Sequence, residues 1–287
     1  MALKHRKVPI ALMLEMSVAF QGTSRTFFGP MKVKTRTTGG APAFARTNRF
    51  GLDINPFSTF VSSVRGESIA EKVLENPQWP EEWPFTEEDF RRQDESSDDI
   101  FYDSPRLCFH IDEPAVEAVT KYYSEVFEQG QDVLDICSSW VSHYPKDWSG
   151  GNVVGLGMNE YELRENPVLT SYDVRDLNKN PNFPYDDNSF DVVTCVVSID
   201  YLIDPRKIFA EIGRVIRPGG KAIISIGNRC FPTKVFQLWL QTNDLEHIFV
   251  IGSFFHYSGL FEPPKCIDMS PNPGLSDPLY VITATAK

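Results

Sequence analysis

The sequence predicts an α/β fold: a doubly wound, mostly parallel sheet with helices on both faces. Strand and helix signals alternate from Asp112 onward. The run Phe190 to Ser198 is apolar almost throughout, as in a strand covered on both faces. Arg217-Pro218-Gly219-Gly220 separates a helical pattern from a strand pattern, as a βαβ unit requires.

The first core helix is expected after Asp112, a suitable N-cap, with Pro114 in its first turn and Gly130 beyond its end. Val116, Val119, Tyr123 and Val126 share one face of it. Strands are expected at 132–136, 152–157, 168–172, 190–198 and 221–226. A helix starting at Asp204-Pro205 turns Ile208, Ile212, Val215 and Ile216 inward, and a further helix is expected over 232–241 with Trp239 buried. The apolar run 248–255 and the segment 279–284 read as two late strands that pair antiparallel. In an open parallel sheet, ligands bind beyond the carboxyl ends of the strands. That rule gathers Cys137–Trp140, Gly157–Glu160, Asp173–Asp176, Ser198–Tyr201 and Gly227–Phe231 into one candidate site.

The chain of 287 residues carries 28 basic and 39 acidic residues, a net charge of −11. Residues 1–49 hold nine basic residues against the single acid Glu15, so the remainder is more acidic still. Such a body is repelled by phosphate backbones, so nucleic acid is not an expected partner. Nor is a membrane, since no run of about 18 apolar residues is present. Residues 1–49 read as a targeting segment, a weak signal-like start followed by a Ser/Thr/Arg-rich stretch, with the plastid as expected destination and the mitochondrion or cytoplasm as alternatives. Residues 50–100 read as an extension packed on the core through Trp79 and Trp83. The Pro77–Pro84 run in it excludes helix and central strand, and a short helix is expected over 64–74. Residues 101–287 form the main domain. Five scattered cysteines without a CxxC pair argue for free thiols, and no metal-ligand spacing occurs among the histidines.

The turn after the first strand, Asp135-Ile136-Cys137-Ser138-Ser139-Trp140, lacks the glycines of a dinucleotide fingerprint, and no P-loop is present. Two segments then carry a resemblance: Asp186-Asp187-Asn188-Ser189-Phe190-Asp191-Val192-Val193, and Phe209-Ala210-Glu211-Ile212-Gly213-Arg214-Val215-Ile216-Arg217-Pro218-Gly219-Gly220. Together they resemble the class I S-adenosylmethionine-dependent methyltransferases of the type 11 subgroup, over about residues 102–287. DICSSWVSHYP, GLGMNE, NRCFPTK and SPNPGLSDPLYV are similar to a group of plant and algal proteins of this fold.

The resemblance implies a Rossmann-like sheet of seven strands, the last antiparallel, and S-adenosyl-L-methionine as cofactor. It places Asp135 near the cofactor's amino acid portion, and Ser138 and Ser139 in the turn usually rich in glycine. Gly157, followed by Met158, stands where an acid usually grips the ribose, so Asn159 is expected to substitute for it in preference to Glu160. The resemblance also places Asp173 and Val174 at the adenine and Ser198 beside the methyl group. Arg106, in the segment before the core, is expected to pair with the methionine carboxylate. Asp200 is the expected catalytic base, with Tyr201, Asn228, Arg229, His256 and Tyr257 on the acceptor side. A small molecule is the expected methyl acceptor. The missing acid and glycine-poor turn leave open an alternative, a catalytically silent methyltransferase-like binding module.

Overall fold

A computed structural model of the chain describes residues 68–287. The expected targeting segment, and the part of the extension before Ser68, lie outside the described residues.

The elements in chain order are α1 (Ile69–Lys72), α2 (Asp98–Tyr102), α3 (Glu113–Val126), β1 (Val133–Ile136), β2 (Val153–Gly157), α4 (Glu160–Glu165), β3 (Ser171–Val174), β4 (Phe190–Val196), α5 (Pro205–Val215), β5 (Ile216–Ile226), α6 (Gln237–Gln241), α7 (Asp244–Ser258), β6 (Lys265–Asp268) and β7 (Tyr280–Thr285). The strands form a seven-stranded sheet in the order β3-β2-β1-β4-β5-β7-β6. The first five run parallel, and β7 lies antiparallel to both β5 and β6. The chain leaves β3 for β4 across β1 and β2, so the order reverses between β1 and β4. The expected Rossmann-like sheet with an antiparallel last strand is therefore present.

Period-two alternation sends neighbouring residues of one strand to opposite faces. Val133 packs with Val119 and Tyr123 of α3, while Leu134 faces Phe209 and Ile212 of α5 and Phe254 of α7. Asp112 caps α3 by accepting from the Ala115 N–H at 3.0 Å, and Asp204 caps α5 by accepting from that of Lys207 at 3.3 Å. Trp79 lies on Phe249 with ring centroids 4.8 Å apart, and Trp83 stacks on Phe254 at 5.7 Å. The Pro77–Pro84 run thus meets the core through its aromatic side chains, without regular structure.

Three expected elements need correction. Residues 248–255 are not a strand; they lie in α7, whose residues 246–255 are all buried. A helix enclosed on every side has no polar face, and its apolar run cannot be told from a buried strand by periodicity. The distinguishing signals were Asn243 and Glu246, which cap one another's backbone, and Gly259 at φ 71° beyond the last turn. The antiparallel partner of β7 is accordingly β6, a short strand ahead of the Pro271–Asp277 loop. The helix expected over 232–241 is confined to α6, because Pro232–Val235 form turns. The helix expected over 64–74 appears only as the single turn α1 within the described residues.

Candidate functional site

A pocket of about 390 Å³ lies across the carboxyl ends of β2, β1, β4 and β5. That volume falls within the usual range for small-molecule sites. Its floor is the turn after β1. Cys137 there adopts φ 54°, a left-handed conformation that costs an L-residue roughly 1–2 kcal/mol. The glycine-free turn is held by hydroxyl groups. Asp135 is buried and accepts from Ser138 Oγ and Ser142 Oγ, each at 2.7 Å, and from Thr194 Oγ1 at 2.9 Å. Burial pushes the Asp135 carboxyl up, and these three donors oppose that shift. Ser139 Oγ donates to Glu162 at 2.6 Å. Both turn serines border the pocket and use their one hydroxyl proton within the protein.

Gly157 borders the pocket at the end of β2. A Cβ at this position would lie 2.1 Å from the Ser138 carbonyl oxygen. The turn after β1 has closed onto the strand, so no side chain fits here, acidic or otherwise. Asn159 borders the pocket, with its amide engaged by the protein. Its Oδ1 accepts from the Glu162 N–H at 3.1 Å as the cap of α4, and its Nδ2 donates to the Tyr102 and Asp103 carbonyls at 2.9 and 3.1 Å. Glu162 supplies the carboxylate at this end, accepting from the Arg106 N–H at 2.6 Å besides Ser139. The spacing from cap to third helical residue could have pointed to it, since that residue projects back over the helix start.

Asp173 and Val174 do not border the pocket. β3 is an edge strand that extends to Val174, which is half exposed, and the Asp173 carboxylate lies beside the Tyr185 hydroxyl. Arg175, Asp176, Leu177 and Asn178 form the pocket wall instead. Asp176 Oδ1 accepts from the Asn178 N–H at 2.9 Å.

Ser198 and Met158 border the pocket as expected, with Ser198 Oγ donating to the Val196 carbonyl at 2.8 Å. Asp200 is not among the lining residues. The short 3₁₀ turn 199–201 buries it, and Oδ2 has no hydrogen-bond partner. Burial pushes its carboxyl up to about 8. The folded chain then keeps this proton at neutral pH, whereas the unfolded chain has lost it. Native stability accordingly falls as pH rises from about 4 to about 8. Asp200→Asn is expected to flatten that slope and to raise the unfolding midpoint at pH 8 by several degrees. Thermal melts at pH 5 and pH 8 check this; an unchanged slope would mean the proton is not held.

His256 and Tyr257 lie away from the pocket, on α7, where His256 stacks on Trp79 and the Tyr257 hydroxyl donates to the Pro80 carbonyl. The acceptor-side wall carries His110, Tyr201, Arg229 and Phe231 instead. Trp140 is part of the wall near the β1 turn, stacked on Phe109 at 5.2 Å. Among the described residues no group of three potential metal ligands occurs, and all five cysteines are free.

Residues 136–224, which include most of this pocket edge, match the methyltransferase domain family of type 11. Over that segment, less than half of the chain, the sequence is similar to methyltransferase domains, and the sheet order is the one the resemblance leads one to expect. It is 30% identical over 108 residues to a ubiquinone biosynthesis O-methyltransferase of Pseudomonas aeruginosa, covering 35% of this chain and 46% of that protein. It is 33% identical over 115 residues to a demethylmenaquinone methyltransferase of Paenarthrobacter aurescens, covering 38% and 42%. The chain thus spans less than half the length of these curated relatives. A solved S-adenosylmethionine-dependent methyltransferase of Mesorhizobium loti is 15% identical, with a TM-score of 0.42 over 58% of this chain and 97% of that one.

Proposed function

We propose that the protein transfers a methyl group from S-adenosylmethionine to a small-molecule acceptor. The observation that carries this reading is a pocket over the strand ends at the point where strand order reverses, lined in large part by the segment matched to a methyltransferase domain. The donor set fits the cofactor. An adenosyl group presents hydroxyl and amino donors, and the β2–β3 end of the pocket presents the carboxylates of Glu162 and Asp176 between the apolar Leu156 and Leu177.

In this reading Glu162 holds the ribose hydroxyls and Asp176 the adenine amino group, while the turn 137–141 underlies the amino acid portion. The cofactor supplies an already activated methyl group. The protein then contributes alignment, and a wall of residues 102–111 that keeps water out. His110 is a titratable group on the acceptor-side wall, beside Tyr201 and Cys230. Burial is the main cause lowering its pKa, so it is neutral at pH 7 and able to take a proton from a hydroxyl acceptor. The two relatives act on quinone-type molecules by name, which favours a ring compound as acceptor.

Calorimetry of the full chain with S-adenosylhomocysteine tests the reading. Glu162→Gln and Asp176→Asn are each expected to weaken binding roughly 10-fold or more, the scale of a hydrogen bond to a charged group. Asp173→Ala should stay within about 2-fold. An Asp173 effect larger than that of Asp176 would move the adenine site back to β3. Undetectable binding to the wild type would favour the silent binding module, the reading to which the closed Gly157 position lends support.

We also propose that residues 1–49 direct import into a plastid. Their basic surplus beside an acidic body supports this. A chain starting at Phe50 should bind S-adenosylhomocysteine as the full chain does, and diffuse cytosolic fluorescence of a full-length fusion would exclude import.

A further inference from the structure

We infer that the methyl acceptor is a planar aromatic acid whose carboxylate is received by Arg106, an inference that rests on the methyltransferase reading. The guanidinium of Arg106 sits among three rings. Its Cζ lies 4.6 Å from the centroid of Phe101, 5.4 Å from that of Phe231 and 5.8 Å from that of Tyr102. Its side chain makes one hydrogen bond to the protein, from Nη2 to the Phe101 carbonyl at 2.9 Å. A guanidinium has five N–H donors, so most are left for a guest.

Most other charges of the pocket have partners of opposite sign. Arg229 is paired with Asp277 at 2.9 Å, while Arg175, at the opposite, β3 end of the pocket, donates to the Asn182 carbonyl. Asp98 is held by Arg92 and Lys234, and Glu162 accepts from the backbone N–H of Arg106, not from its side chain. Arg106 is thus a half-buried pocket cation for which the described residues provide no carboxylate. Desolvating a charge without a partner is costly, and an anion brought in from solution would remove that cost.

Two sources of carboxylate are chemically equivalent here: the cofactor's amino acid end and the acceptor. Position favours the acceptor. The backbone of Arg106 is fastened to α4, after β2, but the guanidinium ends against Phe231, in the loop after β5. In the sheet order, β5 lies two strands from β1, or about 10 Å from the turn that underlies the amino acid portion. The ring that would face a planar guest is fixed. The Phe231 N–H donates to the Tyr201 hydroxyl at 2.8 Å, and the His110 ring meets Phe231 edge-on at 5.5 Å. A flat guest lying along Phe231 brings its acidic substituent to Arg106 and a ring hydroxyl toward His110.

The test uses the full chain saturated with S-adenosylhomocysteine, titrated with 4-hydroxybenzoate and with its uncharged isostere 4-hydroxybenzamide. The benzoate is expected to bind at least 10-fold more tightly than the amide. Arg106→Met should erase that preference, and Arg106→Lys should keep part of it. Equal binding of the two probes to the wild type, or no binding of either, overturns the inference, even if Arg106→Met fails to fold. If Arg106→Met instead weakens S-adenosylhomocysteine more than 10-fold and leaves the benzoate preference intact, the guanidinium serves the cofactor and the inference is wrong. Failure of S-adenosylhomocysteine to bind the wild type would be a separate result, one that removes the methyltransferase reading itself.

Discussion

Gly157→Asp, which would restore the acid usual for this fold, is expected to abolish S-adenosylhomocysteine binding and to lower the unfolding midpoint by about 6–12 °C. The new Cβ would stand 2.1 Å from the Ser138 carbonyl oxygen. The obstacle is backbone, so no change of rotamer relieves it, and Ser138 is itself tied by its N–H to the Leu156 carbonyl at 3.1 Å. Overpacking of this kind costs about 3 kcal/mol, the upper end of the ordinary range. At about 2–4 °C per kcal/mol for a domain of this size, the quoted shift follows. Gly157→Ala should show nearly the same loss, because the first carbon carries the clash. Melts and calorimetry on both variants decide the matter. An aspartate variant with wild-type stability and tighter ligand binding would show that the turn can retreat.

Asp98→Ala is expected to be the most damaging single change outside the sheet. Asp98 is 3% exposed and sits between two buried cations: Arg92 Nη1 at 2.7 Å and Lys234 Nζ at 3.2 Å, the lysine fully buried. Its other oxygen contact is the Asn178 amide at 2.9 Å. Removing the carboxylate leaves the two cations only their partly exposed acids, Asp94 at 3.1 Å from Lys234 and Glu95 at 3.5 Å from Arg92, a loss of about 3 kcal/mol, the low end for breaking a buried pair. Lys234→Met should cost less, since Arg92 and Asn178 still hold the acid. Burial opposes the charge on Asp98, but hydrogen bonds from Asn178 and Arg92 outweigh it and set its pKa below the ordinary value. The contribution is therefore present above pH 4 and is lost as pH falls through the lower folded value. Denaturant titrations at pH 7 and pH 3 should show the Asp98→Ala gap narrowing in acid; a constant gap would mean that Asp98 acts by packing alone.

The sequence made the succession of β1 to β5 readable because β1, β2, β4 and the second half of β5 are buried runs and the helices α3 and α5 are marked by their caps, Asp112 and Asp204. It hid α7 because enclosure on all sides removes the polar face that reveals a helix. The pocket opens over the strand ends that the sequence singled out, although not every side chain expected there lines it. The edge at β3 moved from Asp173 to Asp176 because that strand runs on to Val174, and strand ends are poorly marked in an exposed edge strand. The part Asn159 plays as a helix cap was hidden for another reason. An amide that caps a helix is indistinguishable in sequence from one free to bind a ligand. Arg106 could be named, yet the rings around it come from residues 101–102 and 231, a conjunction that only the folded chain makes.

The fastening of residues 102–111 to α4 has a consequence in time. Asn159 holds the Tyr102 and Asp103 carbonyls, and Glu162 holds the Arg106 N–H, all from the first turn of one short helix. If these bonds must open to let a ligand pass, the proposed methyl transfer is expected to be paced by the wall and not by diffusion. Rapid mixing would then show a burst of one methylated product per chain before the steady rate, and its absence would mean that the wall does not gate exchange.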